Sequence, residues 1–541
     1  MTRTAPPTSA AELSTTSTAR VAALVLSLWL LSPALHVAVS SLQSGHTSHA
    51  FAVLALAAAV FATPLAFVHT PRAFFLLWLP VALWVPVQLF LLNLFGGTPG
   101  PIFFSALLNT DPVETKATMA GIGLVALLLP ASWILYVWTA TLPSLRVPMS
   151  VRFRNALLGL ALLYGAAATL THPDFGPTNV QTALWSDEVL TDSFPTGPVL
   201  GVTTALVQGR PERVGWIAAS APPDPQIVVL IIGETMRADH LGLYGYARDT
   251  TPKLGKIASE LVIFRDMAAS ANSTFVALPN IASVKTPKGM LDVATIFRSA
   301  GFDTAWLSNQ ASHVYQSDAR LKRFSEMNWN SSNRLDQELV PELAEVLKQE
   351  GERKFIVLHL IGSHYPYDLR YPESMRVFRP TESEVKGGFR PANKANYVNS
   401  YDNSILATDD MVARVIDMVR ASGKPSVVAL TADHGENLYD DKRNKILHSN
   451  PEASRAEAFV PLVIWANSGY AAKHPDRLAR LRANRDQPAG HLNVVPTLVD
   501  LAGISSTYDP RMDSLAQADF RPRPRSLLQA SGTMVQVDAL K

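Results

Sequence analysis

Several acids and histidines stand directly behind short apolar runs in the second half of the chain. The run IVVLIIG precedes Glu234, and the run VVALTA precedes Asp433 and His434. FIVLHLIGS precedes His364, and the segment NKILHSN contains His448. Glutamate, aspartate and histidine together form a ligand set that suits Zn²⁺ or Mn²⁺. If the apolar runs are neighbouring strands of one sheet, we expect these side chains to meet at one edge of it.

The simpler interpretation of the adjacent Asp433 and His434 is a helix cap followed by a surface histidine. Gly435 follows them, and we expect it to permit a backbone turn that aims both side chains at one ion. Glu234 and two further histidines occupy matching positions behind other apolar runs. We therefore favour a metal site over a cap.

A hydroxyl group that such an ion could activate lies in the segment ASANSTFVALPN. Thr274 precedes an apolar stretch ended by Pro279, so the sequence places it at the start of a helix. The positive end of a helix dipole favours phosphate, and a divalent cation lowers the pKa of a bound hydroxyl until it becomes a nucleophile. On the residues alone an ordinary helix cap stays open as the alternative, made by one of Ser270, Asn272, Ser273 or Thr274.

The elements that must position these side chains alternate between strand-like and helix-like segments from residue 225 onward. Runs rich in β-branched residues, such as KFIVLHLIG and PLVIWAN, are separated by stretches such as RLDQELVPELAEVLKQE. This alternation predicts an α/β domain with a mostly parallel central sheet covered by helices. We place this domain at residues 223–541, behind a linker rich in Pro, Gly and Thr at 172–222.

Residues 1–171 have a different character. The chain has 541 residues, of which 48% are hydrophobic and 17% charged, and nearly all of the apolar excess lies in this part. The pattern predicts an α-helical membrane domain with an uncleaved first helix, because the first apolar run is too long for a signal peptide. Five transmembrane helices are predicted, near 21–41, 51–69, 73–96, 118–142 and 155–171.

The charges between these segments predict an orientation. Arginines lie before the first segment and in the second and fourth loops: Arg3, Arg20, Arg72, Arg146, Arg152 and Arg154. The remaining loops carry only Lys116, beside acids. Because Lys and Arg stay in the cytoplasm, we expect a multi-pass protein of a bacterial inner membrane with a cytoplasmic amino terminus. Its α/β domain would then lie in the periplasm.

Composition also excludes several kinds of chemistry. The chain has no cysteine, which excludes disulfides, zinc–thiolate sites and thiol catalysis. Its net charge of +2 gives no reason to expect a nucleic-acid partner.

Five stretches resemble the bacterial phosphoethanolamine transferases of the alkaline phosphatase/sulfatase superfamily: GETMRADHLGLYGYARDTTPKL, the Thr274 segment ASANSTFVALPN, HLIGSHYPYDLRYP, YDNSILATDD and ADHGENLYD. The resemblance implies a sulfatase-like domain behind five membrane spans. It implies one or two zinc ions, a phosphatidylethanolamine donor and a lipopolysaccharide acceptor, either a lipid A phosphate or a core sugar. The reaction would pass through a covalent phosphoethanolamine–threonine intermediate.

The same resemblance assigns roles to individual residues. Four would be zinc ligands, with the threonine also the nucleophile: Glu234, Thr274, Asp433 and His434. Two histidines would handle the phosphoryl group, a second zinc or the proton: His364 and His448. Three residues would contact substrate, the first two of them at the ethanolamine head group: Thr110, Glu114 and Asn309.

Alternative functions of the same architecture stay open. A glycerol phosphate transferase and a periplasmic-glucan phosphoethanolamine transferase share the fold, and a non-enzymatic membrane sensor would use the domain without chemistry. A sulfatase would carry a formylglycine made from Cys or Ser, and the threonine at position 274 argues against it. SHYPYDLRYP and WLSNQ look closer to the branch that acts on core sugars than to the lipid A branch of polymyxin resistance.

Overall fold

A computed structural model of the chain describes residues 10–43, 45–95, 116, 125–171, 212–325, 335–386, 388–440, 442–508 and 510–540. These residues belong to two compact units, one helical and one α/β. The predicted linker falls outside the described residues up to 211, and so do Thr110 and Glu114, the predicted contacts of the ethanolamine group.

The helical unit is built from apolar helices that follow the predicted membrane segments. The described helices are α1 (Ala10–Gln43), α2 (Thr47–Ala62), α3 (Pro71–Leu77), α4 (Leu79–Phe95), α5 (Val125–Ala140) and α6 (Val151–Thr171). Aromatic side chains of α5 tie it to its neighbours. The Trp133 indole donates to the Leu83 carbonyl oxygen at 2.8 Å, and the Tyr136 hydroxyl donates to the Phe75 carbonyl oxygen at 2.9 Å. Each polar tip is thereby satisfied inside an apolar setting.

The count of five membrane spans is not confirmed. Among the described residues, two helical stretches, Ser17–Gln43 and Thr47–Ala66, are long and apolar enough to cross a membrane. The pair Pro71–Leu77 and Leu79–Phe95 adds a third only if it is counted as one span, and Leu128–Ala140 is shorter.

The predicted third span is broken rather than continuous. Its two helices meet at an angle of 56°. Pro80 is the second residue of α4, and a proline has no backbone N–H to continue the hydrogen bonds of the preceding helix. The break was therefore predictable from the first proline in WLPVALWVP.

The α/β unit contains a seven-stranded sheet. Its strands are β1 (Gln226–Gly233), β2 (Leu261–Phe264), β3 (Asp303–Ser308), β4 (Leu321–Arg323), β5 (Arg353–His359), β6 (Ser426–Ala432) and β7 (Leu462–Ala466). The order across the sheet is β2-β7-β6-β1-β5-β3-β4. The four pairs from β6 to β4 are parallel and the two pairs formed by β7 are antiparallel. The sheet is therefore mixed, with one strand running against the other six.

Five two-stranded pairs and nine helices complete the described α/β unit. The pairs are Ala219–Ser220 with Ser505–Ser506, Met267–Ala268 with Ala489–Gly490, Ser283–Thr286 with Gly289–Asp292, Asn437–Leu438 with Ile446–Leu447, and Ser526–Leu528 with Met534–Gln536. The helices are α7 (Pro252–Lys256), α8 (Thr274–Ala282), α9 (Val293–Ser299), α10 (Leu339–Lys348), α11 (Lys394–Ala421), α12 (Arg455–Ala458), α13 (Ser468–Lys473), α14 (Pro475–Asn484) and α15 (Val494–Leu501). The first pair shows that the unit begins upstream of residue 223.

The three central strands bring the predicted ligand positions to one edge. In the register of the sheet, Gly233 of β1 pairs with Ala432 of β6, and Ile232 pairs with His359 of β5. The residues that follow these parallel strands therefore leave the sheet side by side.

The motif GYARDTTP and the acid of YDNS form one buried anchor. Asp402 of α11 is fully buried. It accepts hydrogen bonds from the Tyr246 hydroxyl at 3.0 Å and from Arg248 Nη1 at 2.8 Å, and it contacts His240 Nδ1 at 2.7 Å. The motif thus fixes the long helix α11 against the segment that follows β1.

Candidate metal and nucleophile site

Glu234, Asp433 and His434 occupy the carboxyl edge of the sheet, and all three are at most 1% exposed. His434 Nε2 lies 3.4 Å from Glu234 Oε1 and 3.4 Å from Asp433 Oδ2. His448 joins this group, since one ligand atom each from Glu234, His434 and His448 lie within 4.8 Å of one another. The structure therefore brings together the acids and histidines that the sequence placed behind separate strands.

Thr274 points its hydroxyl at this cluster. It is the first residue of α8, and its Oγ1 lies 3.0 Å from Glu234 Oε1 and 3.2 Å from His434 Nε2. Both atoms are acceptors for the hydroxyl proton. The start of a helix also favours a phosphate group beside this oxygen.

The alternative of an ordinary helix cap does not describe this segment. Ser273 holds the cap position of α8 without a side-chain hydrogen bond. The Asn272 amide donates instead to the Asn450 carbonyl oxygen at 2.8 Å, and Ser270 pairs with His491. Pro279, expected to end the apolar stretch, lies inside the helix, which continues to Ala282.

Asp433 offers an oxygen that its protein neighbours leave unsatisfied. Its Oδ1 accepts from the backbone N–H of Thr235 at 3.1 Å and of His434 at 2.8 Å. Its Oδ2 is buried and has no hydrogen-bond partner among the described residues. A buried carboxylate oxygen without a donor is costly unless a cation satisfies it. Together with two further ligand types, this oxygen fits a divalent metal such as zinc.

The pKa shifts of Glu234 and Asp433 are also consistent with a metal ion at this position. Burial raises the pKa of Glu234 well above its usual value, and the neighbouring Asp433 carboxylate raises it further. Burial also opposes charge on Asp433, but the electrostatic influence of the adjacent His434 ring holds the pKa of Asp433 below its usual value. Two buried carboxylates in contact repel each other, and a cation between them removes this cost.

Three histidines share one arrangement at this edge. Each uses Nδ1 to donate to an oxygen: His434 to Gly435 at 2.9 Å, His364 to Tyr365 at 2.8 Å, and His448 to the Glu436 carboxylate at 2.8 Å. Nε2 of each ring is left with its lone pair. Burial lowers the pKa of all three, so each is a neutral ligand or proton acceptor. The His448 ring lies 4.4 Å from the His434 ring and 5.2 Å from the His364 ring, measured between ring centres.

Comparison with known proteins identifies the scaffold. A family model described as Sulfatase matches residues 226–504, slightly more than half of the chain. The chain belongs to the sulfatase family.

Named relatives of this sulfatase-family chain are phosphoethanolamine transferases. Phosphoethanolamine transferase EptC from an Escherichia coli strain is 29% identical over 323 residues, covering 56% of this chain and 55% of EptC. The chain thus spans about half the length of the curated relatives it matches. The resemblance found in the five sequence stretches is confirmed.

Two solved structures share the fold at lower identity. One is the C-terminal periplasmic domain of EptC from Escherichia coli in complex with zinc, with a TM-score of 0.54 and 24% identity over 60% of this chain and 97% of that one. The other is the integral membrane protein lipooligosaccharide phosphoethanolamine transferase A (EptA) from Neisseria meningitidis, with a TM-score of 0.64 and 21% identity over 87% of this chain and 96% of that one.

Two glycines of the sulfatase-family site are required by close backbone contacts. Gly362 has a φ of +49°, and a Cβ there would lie 2.7 Å from the backbone N and O of Glu234. Gly435 was expected to permit a turn, but it is not among the described glycines with positive φ. A Cβ on Gly435 would instead overlap the Ala456 carbonyl oxygen. Its role is close packing rather than backbone freedom.

Asn309, predicted to contact substrate, is placed behind the site. It is 2% exposed, and its Nδ2 donates to Asp336 at 2.7 Å. The next residue, Gln310, is the one that reaches the cluster. Its Nε2 donates to Glu234 Oε2 at 2.7 Å and to the Leu360 carbonyl oxygen at 2.8 Å. Gln310 therefore orients Glu234, and no signal in WLSNQ distinguished the two amides.

Tyr401 and Thr235 hold the end of β1. Thr235 is buried with a φ of +52°, a conformation that costs a β-branched residue energy. The Tyr401 hydroxyl donates to the Thr235 carbonyl oxygen at 2.6 Å and accepts from the Arg237 N–H at 2.8 Å. This bridge stabilises the turn that directs Glu234 towards the cluster. The sequence YDNS, which contains Tyr401, did not predict it.

His491 clamps the segment that precedes Thr274 to β6. Its Nε2 donates to the Ala432 carbonyl oxygen at 2.9 Å, and its Nδ1 accepts from the Ser270 backbone N–H at 3.1 Å. Ser270 Oγ also lies 3.1 Å from Nδ1. Burial lowers the pKa of His491 to about 4, so the ring is neutral and keeps this donor–acceptor pattern near neutral pH.

We expect His491→Ala to lower the turnover rate about tenfold or more, because a small displacement of the nucleophile is costly. The variant should also be less stable than wild type. Since the folded pKa lies below the usual 6.5, the stability given by His491 is complete above pH 6.5 and is lost as the pH falls towards 4. Thermal unfolding should give a difference in melting temperature between wild type and His491→Ala that is smaller at pH 4.5 than at pH 7.5. The same difference in melting temperature at both pH values, together with a wild-type turnover rate, would contradict this role of His491.

Proposed function

We propose that this chain is a membrane-bound, zinc-dependent phosphoethanolamine transferase that uses phosphatidylethanolamine as donor and lipopolysaccharide as acceptor. One observation carries the proposal: the Thr274 hydroxyl lies between Glu234 and His434, beside the unsatisfied oxygen of Asp433. The names of the relatives, EptC and lipooligosaccharide phosphoethanolamine transferase A, support the transferred group and the class of acceptor.

The reaction would proceed by two displacements at phosphorus. Thr274 Oγ1 attacks the phosphorus of the donor, the bond from phosphorus to the diacylglycerol oxygen breaks, and diacylglycerol leaves with a proton. An oxygen of the acceptor then attacks the same phosphorus, and the bond to Thr274 Oγ1 breaks. Two displacements on one enzyme atom replace one difficult transfer.

Residues of the chain supply positions and protons for both steps. Glu234 Oε1 is within reach of the Thr274 proton. His364 and His448 are neutral and partly buried, so either ring can take a proton from an attacking oxygen and, once protonated, give it to the departing oxygen. A zinc ion held by Glu234, Asp433 and His434 would lower the pKa of the threonine hydroxyl and offset charge on the phosphoryl oxygens.

Sulfate-ester hydrolysis is the obvious other activity in this family. A sulfatase needs an aldehyde hydrate as nucleophile, which is made from Cys or Ser. The residue that reaches the cluster here is a threonine, and the chain has no cysteine. We therefore favour phosphoryl-group transfer.

The membrane anchor fits a lipid donor. We propose five spans with a cytoplasmic amino terminus, on the loop charges and the predicted segments. Such an anchor keeps the α/β unit close to the head groups, and the donor then reaches it by diffusion in two dimensions.

The proposal is tested by expressing the chain in a Gram-negative strain that lacks its own phosphoethanolamine transferases. Mass spectrometry of lipid A, core oligosaccharide and periplasmic glucan should show a phosphoethanolamine added to lipid A or to the core. A gain on the glucan alone would move the function to the glucan class. A gain of glycerol phosphate would change the donor, and no gain on any acceptor would favour the non-enzymatic alternative.

A further inference from the structure

A cavity lies beside the segments that follow β1 and β6. It has a volume of about 460 Å³, which is within the range of about 300–1,000 Å³ usual for small-molecule sites. Four arginines and two aspartates contribute to its lining: Arg237, Arg265, Arg443, Arg455, Asp239 and Asp440. Positive charge is therefore in excess.

The two aspartates are already engaged by one of the four arginines. Arg237 binds Asp239 through two hydrogen bonds, at 2.9 and 2.7 Å, and Asp440 through one at 2.8 Å. Arg237 is 4% exposed and forms a fixed part of the wall. For Arg265 and Arg455, the lining therefore offers no acid that Arg237 does not already bind.

Arg455 is the more available of these two. It is exposed, and the ion pairs of the residues that the structure describes do not include it. Its guanidinium lies 3.9 Å from the centre of the Phe459 ring, which fixes its plane. Arg265 pairs with Asp486 at 3.1 Å, but both side chains are at least 60% exposed, so this pair is weak.

The wall of the cavity is joined directly to the catalytic segment. The backbone N–H groups of Gly435 and Glu436 donate to the carbonyl oxygens of Glu457 and Ala456 at 2.8 and 3.1 Å. Arg237 Nη1 donates to the Glu436 carbonyl oxygen at 3.0 Å. Arg455 is therefore the neighbour of Ala456, whose carbonyl oxygen binds the N–H of Glu436, two residues after His434.

We infer that this cavity binds a phosphate group of the acceptor other than the group that receives phosphoethanolamine. Arginine forks match the oxygens of phosphate, and a fixed guanidinium loses little freedom on binding. The inference rests on the proposed function, because a lipopolysaccharide acceptor carries several phosphates on one sugar backbone. It makes Arg455 a determinant of acceptor specificity that does not touch the reacting atoms.

The test compares Arg455→Gln with wild type in two measurements on the full-length chain in detergent. The first is steady-state transfer to bisphosphorylated lipid A. The KM for lipid A should rise about tenfold, while kcat and the KM for phosphatidylethanolamine stay the same. Arg455→Lys, which keeps the charge, should recover part of the loss. Arg480→Gln on the exposed face of α14 is the matched control and should behave as wild type.

The second measurement is direct binding of fluorescent bisphosphorylated lipid A to Thr274→Ala chains with and without Arg455→Gln. It needs no turnover, so it separates this inference from the proposed function. A tenfold loss of affinity supports the phosphate site even if the transfer assay fails. Equal affinity in the two chains, or a KM of Arg455→Gln equal to that of Arg480→Gln, would overturn it. A rise in the KM for phosphatidylethanolamine instead would assign the cavity to the donor and also overturn it.

Discussion

Thr274→Ala is expected to abolish transfer, with a loss of at least about a thousandfold in kcat, and to leave the fold intact. The threonine is half-buried at the first position of α8, and its hydroxyl forms no helix cap. Removing it takes away the attacking atom and little packing. Thr274→Ser keeps an oxygen at the same place and should retain measurable activity. Thr507→Ala, at an exposed hydroxyl remote in sequence, is the control for loss of a threonine methyl and hydroxyl.

The covalent intermediate gives this prediction a second measurement. Wild-type chain purified from membranes and digested should contain a fraction of the Thr274 peptide with a phosphoethanolamine group attached. The same group found only on Ser270 or Ser273 would move the attacking atom to another residue. Wild-type turnover in Thr274→Ala would remove the covalent step altogether.

The residues brought to the carboxyl edge were predictable because strand periodicity locates them. Glu234, Asp433 and His434 each follow an apolar run long enough to be a buried strand, and parallel neighbours must end at one edge. The nucleophile was harder to find. Hydroxyl residues before an apolar stretch usually cap a helix, and only the resemblance to a family singled out Thr274.

The residues that the sequence did not indicate act through contacts between distant segments. Gln310 reaches Glu234 across β5, and His491 joins the segment before α8 to β6 although it is more than two hundred residues away from Ser270. No local pattern encodes such a contact, since the partners are set by the order of strands in the sheet. The same holds for Gly435, whose packing partner Ala456 is known only once the chain is folded.

The membrane segments show the opposite case, in which a local signal was present and was outweighed. Mean hydropathy predicted one span over 73–96, whereas Pro80 divides it into two helices. A window average is insensitive to a single proline, although the missing N–H of that residue decides where the helix ends.

The second large effect concerns the two buried acids. We expect Asp433→Asn to stop zinc binding. We also expect the variant to be more stable than wild type without zinc and less stable than wild type with zinc. In asparagine, Oδ1 still accepts from the N–H groups of Thr235 and His434. The new Nδ2 takes the place of Oδ2, 3.4 Å from His434 Nε2 and close to Glu234. There it donates a hydrogen bond, whereas the native oxygen faces another acid.

Without metal, the variant should therefore melt a few degrees above wild type, because one of two repelling buried carboxylates is gone. With zinc at about a hundred times its dissociation constant, wild type should gain roughly 2.7 kcal/mol and the variant almost nothing. The melting temperatures of both proteins should be measured in chelator and in zinc, together with their zinc content after dialysis. These measurements show whether zinc changes which protein is the more stable. Asp417→Asn, at an exposed acid of α11, should follow wild type in both conditions.

This reversal of the stability order by zinc distinguishes a metal site from a pair of acids that only stabilises the fold. If Glu234 and Asp433 only stabilised the strand ends, Asp433→Asn would lower the melting temperature equally with and without zinc. If another set of residues held the metal, the variant would gain as much from zinc as wild type does. A higher melting temperature in chelator combined with no response to zinc is the outcome that the unsatisfied oxygen of Asp433 requires, because the oxygen that destabilises the metal-free fold is also the one that binds the ion.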